Sequence, residues 1–237
     1  MKSYPASVRK VVKSYMQRVP MVHEHCDRCL AGRRWHGNAL LMVIDAAFDS
    51  IGLNYFQSVV PRVELFRQRY VATGKIVTFE DLAGVDDKKL KAVWKNARSW
   101  SVAREIAAYL AKLKKKYRLD DSAALIRWAM AAPLKRWESD PIGRINGVGI
   151  NTYQYLRMMG GVDTVMPDKI VKRVFFEMLD RAGIKPPQSD LEFISFIEEF
   201  APAVGYRPIE LCWMTWLVQS EAGLSRTEKY ASLLPKI

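Results

Sequence analysis

Cysteine and histidine are scarce, with three of each in 237 residues. An odd and small cysteine count excludes a disulfide framework and points to a reducing compartment. Long apolar runs are missing as well. None reaches about eighteen residues, so no transmembrane helix is expected. The start, Met1-Lys2-Ser3-Tyr4-Pro5, leads into a basic stretch rather than the apolar core of a signal peptide. These absences predict an intracellular protein, cytoplasmic and nucleoid-associated or nuclear, with no membrane partner. Acidic residues are also in deficit: 25 Asp and Glu stand against 37 Lys and Arg, a net charge of +12. Such a surplus calls for a polyanionic partner, most simply nucleic acid, with an anionic membrane surface as the second reading.

What is present suits a folded chain. Hydrophobic residues make up 49% and charged residues 26%, which excludes wholesale disorder. The length allows one large domain or two modest ones. Helical spacing dominates. Val8, Val11, Val12 and Tyr15 share one face over Ser7–Arg18, and Asn38–Asp49 is apolar enough for a buried helix. Further helices are predicted over Tyr55–Tyr70, Asp86–Lys95, Trp100–Tyr117, Asp121–Met130, Thr152–Met159, from Pro167 through Leu179, Asp190–Phe200 and Ile209–Gln219. Thr78, three residues before Asp81, reads as the N-cap of a short helix. Period-two strands and tandem repeats are absent, so the fold class is all-α. The basic run Lys112, Lys114, Lys115, Lys116 and Arg118 reads first as a solvated helix face.

The most informative stretch is Ile142 to Leu156, which reads as a short helix, a two-glycine hairpin and a second helix. Gly147 and Gly149 can take positive φ and lack side chains, so the backbone can approach a phosphate. Main-chain N–H groups at the next helix start then face that anion. Val148 can plug the angle between the helices. A dinucleotide fingerprint is excluded, because no strand precedes the glycines and Thr152 stands where the third glycine should be. A plain αα-hairpin remains the structural alternative.

The hairpin Ile145-Asn146-Gly147-Val148-Gly149-Ile150-Asn151-Thr152, followed by Gly161-Val162-Asp163-Thr164-Val165-Met166-Pro167-Asp168-Lys169-Ile170-Val171-Lys172-Arg173-Val174, resembles the helix-hairpin-helix DNA glycosylase superfamily. Its members include endonuclease III, the mismatch adenine glycosylases and the inducible alkyladenine glycosylase. Leu40–Val63, Asp81-Leu82-Ala83 and Lys89–Ala107 are similar to its earlier helices and its DNA-inserting loop. The resemblance thus covers about residues 40–180. It implies two all-α domains flanking a central cleft: residues 1–39 with 161–237, and a six-helix domain over 40–160 that ends in the hairpin. It implies a monomer acting on double-stranded DNA in base excision repair. Two departures matter. Lyase-competent members carry a lysine two residues after the second hairpin glycine, where this chain has Asn151. Many members hold an iron–sulfur cluster on four cysteines near the C-terminus, where this chain has only Cys212. The implied activity is a monofunctional DNA N-glycosylase without that cluster and with no cofactor needed for catalysis. A non-catalytic helix-hairpin-helix DNA-binding protein, or a glycosylase/AP lyase using another lysine, are the alternatives.

Asp168 matches the family's catalytic Asp. Base excision passes through an oxocarbenium-like sugar, which a carboxylate stabilises while it orients the attacking water. Asp163, five residues earlier, reads as a turn or cap residue. Lys169, Lys172 and Arg173 are expected near phosphates, alongside Gly147, Val148, Gly149 and Thr152. A flipped base leaves a gap that an inserted side chain must fill. Ala47–Asn54 occupies the matching region, with Phe48 as wedge or core. Tyr153, Tyr155, Trp213 and Trp216 are the base-pocket candidates, with plain core as the alternative. An aromatic pocket would favour cationic alkylated purines.

All three histidines and two cysteines fall between 23 and 36. Cys26 and Cys29 have metal-knuckle spacing, and His25 and His36, with His23 nearby, could complete a structural zinc site. Buried thiols with surface imidazoles are the plain alternative.

Overall fold

The computed structural model describes residues 4–49, 54–221 and 224–237. It is predominantly helical. Strand among the described residues amounts to one antiparallel pair, Ser220–Glu221 with Leu224–Ser225. The helices are α1 (Ala6–Met16), α2 (Val22–Leu30), α3 (Ala39–Asp49), α4 (Val60–Phe66), α5 (Phe79–Gly84), α6 (Asp87–Leu90), α7 (Ala97–Tyr117), α8 (Asp121–Ala131), α9 (Ile150–Met159), α10 (Lys169–Arg181), α11 (Asp190–Ala203), α12 (Pro208–Leu217) and α13 (Arg226–Lys229). Among the described residues, no helix is long and apolar enough to cross a membrane. The chain divides into a discontinuous unit, Met1–Ala31 with Val162–Lys236, and a continuous unit, Gly32–Gly161 with Ile237.

The continuous unit is built around α3. Its residues from Ala39 through Phe48 are all buried, as a helix apolar all round requires. It packs against α4, α7, α8 and α9. Its buried charge, Asp45, is held inside the core through one oxygen, while Oδ1 has no hydrogen-bond partner among the described residues. Its Oδ2 accepts from Trp35 Nε1 at 2.7 Å, the Tyr55 hydroxyl at 2.9 Å, the Tyr155 hydroxyl at 3.1 Å and the Arg34 guanidinium at 3.2 Å. A buried ion pair repays its desolvation only with such extra hydrogen bonds. Trp35 and His36 take left-handed backbone angles, φ 49° and 56°, which is costly for side chains of this size. The indole bond to Asp45 helps hold that turn. Because Arg34 and Trp35 belong to this core, the first segment of the other unit ends at Ala31 rather than at the expected 39. The capping box at α5 is present: Asp81 N–H donates to Thr78 Oγ1, and Asp81 Oδ2 accepts from Thr78 N–H. The predicted helix over Asp86–Lys95 shrinks to α6 followed by turns. In the basic run, Lys114 is not simply solvated; it bridges Glu80 at 2.9 Å and Asp121 at 2.7 Å.

The discontinuous unit repeats the arrangement around α12, buried from Pro208 to Leu217. α1, α2, α10, α11 and α13 pack on it. Glu210, its buried carboxylate, accepts from Arg207 and lies 2.8 Å from His23 Nδ1. Edge-on contacts of Phe175 with Phe193 and Phe200 fill the space between α10 and α11.

Candidate nucleic-acid interface

The hairpin region lies in the continuous unit. Asp140 shapes its approach: Oδ1 accepts from Trp128 Nε1 at 3.1 Å and from Ile142 N–H at 2.9 Å. Ile142, Ile145 and Val148 then turn inward, and successive bonds from Ile145 N–H to Ile142 O and from Val148 N–H to Ile145 O close the turn. Two glycines here are obligatory. A Cβ on Gly143 would stand 1.8 Å from the Trp137 carbonyl oxygen. Gly147 has φ +104°, and a Cβ there would stand 2.8 Å from Val102 Cγ2. Gly149 differs. It is exposed, and a Cβ on it would meet nothing within 4 Å. It is the N-cap of α9, and no side chain caps that helix. The first-turn N–H groups of α9 therefore stand as donors for an outside acceptor. Arg98 lies beside Gly147, and both Arg98 and Arg144 are exposed. Asp140, Gly143 and Arg98 were not singled out from the sequence, because their roles depend on contacts with Trp128, Trp137 and Gly147.

Two of the nominated phosphate ligands are corrected. Val148 is buried and its N–H is spent on Ile145, so it is a plug and not a ligand. The Thr152 side chain is also buried, which leaves only its main chain for an anion. Asn151 is exposed in the first turn of α9.

The discontinuous unit holds the nominated carboxylate. Asp168 is the N-cap of α10, and its Oδ1 accepts from Val171 N–H at 2.7 Å. Among the described residues no other hydrogen bond or ion pair engages its side chain, so Oδ2 is uncommitted. The buried Cys212 thiol feels its charge: burial pushes that thiol up to about 12, and Asp168 adds to the rise. Asp163 takes the capping role expected of it, accepting Ile209 N–H at 3.0 Å in the first turn of α12. Lys169 is exposed. Lys172 is instead paired with Asp190 at 2.6 Å, and Arg173 donates to the Gln219 side-chain carbonyl.

The aromatic nominations fare differently. Phe48 is fully buried, edge-on to Trp94 at 4.2 Å and Trp100 at 4.7 Å, so it is core and not a wedge. Of the loop after it, Ser50-Ile51-Gly52-Leu53 lies outside the described residues. Tyr153 is fully buried between Trp128 and Trp137, and burial followed by the Asp140 charge pushes its phenol up. Tyr155 is tied into the Asp45 group. Neither tyrosine offers a ring face to a base. Trp213 and Trp216 meet edge-on at 5.6 Å; His25 packs on Trp213, and the Arg226 guanidinium lies 4.5 Å over Trp216.

Of the cysteine–histidine cluster, His25, Cys26 and Cys29 turn their side chains into the discontinuous unit from α2. Burial pushes the Cys26 thiol up, followed by the charge of Cys29. His23 faces Glu210, and His36 belongs to the strained turn of the continuous unit. Among the described residues, no group of three or more His, Cys, Asp or Glu is assembled that could hold a metal ion. Comparison of the chain with family models, with curated proteins and with solved structures found no match.

Proposed function

We propose that this chain is a monofunctional DNA N-glycosylase that removes a damaged or mismatched base from double-stranded DNA, with alkylated purines as the first substrates to test. The observation that carries the reading is the uncommitted Oδ2 of Asp168 at the start of α10. A carboxylate there can stabilise positive charge developing at C1′ and orient the water that attacks it. The uncapped start of α9 behind Gly149 supports the DNA part, since it suits a phosphate and needs no base sequence. Asn151 supports the monofunctional part. Its amide nitrogen is not nucleophilic, so water is the attacking group and the strand stays whole.

The test is a panel of duplexes carrying alkylated purines, uracil, thymine mismatches or oxidised guanine. Free base with an intact strand is the expected product, and a cleaved strand would move the assignment to a lyase. A second reading, a non-catalytic DNA-binding protein, is favoured by the capping bond from Asp168 to Val171, which by itself accounts for an Asp at that position. Tight duplex binding with no product from any lesion would establish it.

A further inference from the structure

A second gathering of positive charge lies in the discontinuous unit. A cavity of about 320 Å³ there is lined by Tyr15, Arg18, Arg173, Glu177, Arg181 and Gln219. Arg173, Glu177 and Arg181 recur every four residues along one stripe of α10. Arg18 reaches the same hollow from the end of α1. We propose that this hollow is a phosphate-binding site, and that its source of phosphate is a nucleic-acid backbone.

The arrangement is unusual in its charge balance. Three guanidiniums face one carboxylate, Glu177, and among the described residues none of the three forms an ion pair. Like charges gathered in a hollow repel one another, and exposed arginines can relieve this by swinging into water. All three are exposed, and Arg18 and Arg173 are nonetheless tied to neutral groups. Arg18 donates to the Val218 carbonyl at 3.2 Å. Arg173 donates to Gln219 Oε1, and Gln219 Nε2 in turn donates to the Thr215 carbonyl at 3.2 Å. The guanidinium carbons of Arg18 and Arg181 lie 5.7 and 5.6 Å from the centre of the Tyr15 ring, which is itself buried. Capping of the α12 end explains Arg18 and Arg173 but not Arg181. Each guanidinium has five N–H donors, most of them unspent, in a planar fork that fits phosphate oxygens. The hollow is thus positive, pre-organised and rich in donors.

The backbone is favoured over free phosphate by position on α10. Arg173 follows Asp168 by five residues, about 7.5 Å along a helix axis. A strand held in the hollow runs past that helix start. To this extent the inference rests on the DNA reading above, though it does not need base release.

Two probes test it. The first is an undamaged 20-base-pair duplex, bound over a range of salt concentrations. Arg18→Gln with Arg181→Gln should flatten the log–log salt slope by about 1 to 2 and weaken low-salt binding about tenfold, whatever the sequence. Arg18→Lys with Arg181→Lys should restore most of the slope. The second probe is inorganic phosphate at constant ionic strength, read as a rise in melting temperature that the Gln pair loses. Loss of that rise with an unchanged duplex slope would keep the phosphate site and assign it to free phosphate. An unchanged slope together with an unchanged phosphate response would overturn the proposal. Base release is scored separately: no base release by the wild-type chain, together with the slope change in the Gln pair, would sink the glycosylase reading and leave the site standing. Should the double variant fail to fold, Arg181→Gln alone, at an exposed position, carries the same test with about half the slope change.

Discussion

The starts of α9 and α10 are built from opposite materials. α9 opens on a bare glycine with no side-chain cap, so its first-turn donors are left for something outside the chain. α10 opens on Asp168, which closes its own first turn with one oxygen and keeps the other. The same orphan N–H groups exist at both starts. One start leaves its donors open because no side chain fills it. The other presents an anion because an aspartate does. The lesson is that a capping bond and a chemical role are separable properties of one residue, and substitutions can pull them apart.

The largest expected effect comes from Asp168→Asn. Asparagine caps a helix about as well as aspartate, so folding should be unaffected. Single-turnover base release should fall by roughly 10²- to 10⁴-fold, with duplex binding retained. Near-normal release would reduce Asp168 to a cap. Asp168→Ala removes the bond as well and should cost about 1 kcal/mol of stability, measured by urea unfolding.

Next are the glycines. Gly149→Ala adds a methyl where nothing stands, so stability should change by less than about 1 kcal/mol. Duplex affinity should still fall severalfold, because the methyl lies where a phosphate would approach. Gly147→Ala meets both a positive φ and Val102, and should cost about 1–3 kcal/mol. Equal stability losses in the two variants would erase the distinction between an open glycine and a packed one.

A smaller signal is expected at Asn151. Borohydride should trap no adduct between the unmutated chain and a substrate duplex, while Asn151→Lys should give weak trapping. Efficient trapping by the unmutated protein would require a lysine elsewhere. The smallest effect concerns the buried thiols. Burial holds the Cys212 thiol at about 12 and raises Cys26, so at pH 8 both remain protonated. An aromatic disulfide reagent should label no thiol in the native state and all three after denaturation. About one zinc per chain on metal analysis would contradict plain core thiols at Cys26 and Cys29.

Helical periodicity made most elements legible, because apolar side chains at three- and four-residue spacing have to face a core. Asn38–Asp49, Asp121–Met130 and the Thr78 cap fall within a residue or so of α3, α8 and α5. α2 was missed. Three of the four residues on its buried face, His25, Cys26 and Cys29, read as metal ligands before they read as core; Val22 is the fourth. The core of the continuous unit was legible in α3 but not in the group around its aspartate. Arg34 and Tyr155 are 121 positions apart, and no local pattern joins them. The local geometry was legible at Gly147, which takes positive φ, and at the Asp168 cap, while Gly149 sits at φ −104° and not in the left-handed region. The site was not legible where a side chain had to choose between interior and surface, as Phe48, Val148, Thr152 and Tyr153 did.

The discontinuous unit has a consequence for synthesis. α1 and α2 are made well before the helix they pack on: α12 begins 178 residues after Leu30 (208 − 30). At about 5–20 residues per second this is a delay of roughly ten to forty seconds. During it, Val8, Val12, Val22 and the two cysteines of α2 lack the α12 surface that covers them, while Gly32–Gly161 emerges as one uninterrupted stretch. During that interval the apolar faces of α1 and α2 stay uncovered. Chains halted after Gly161 should aggregate through those two helices, and removing Met1–Ala31 from the halted chain should restore solubility.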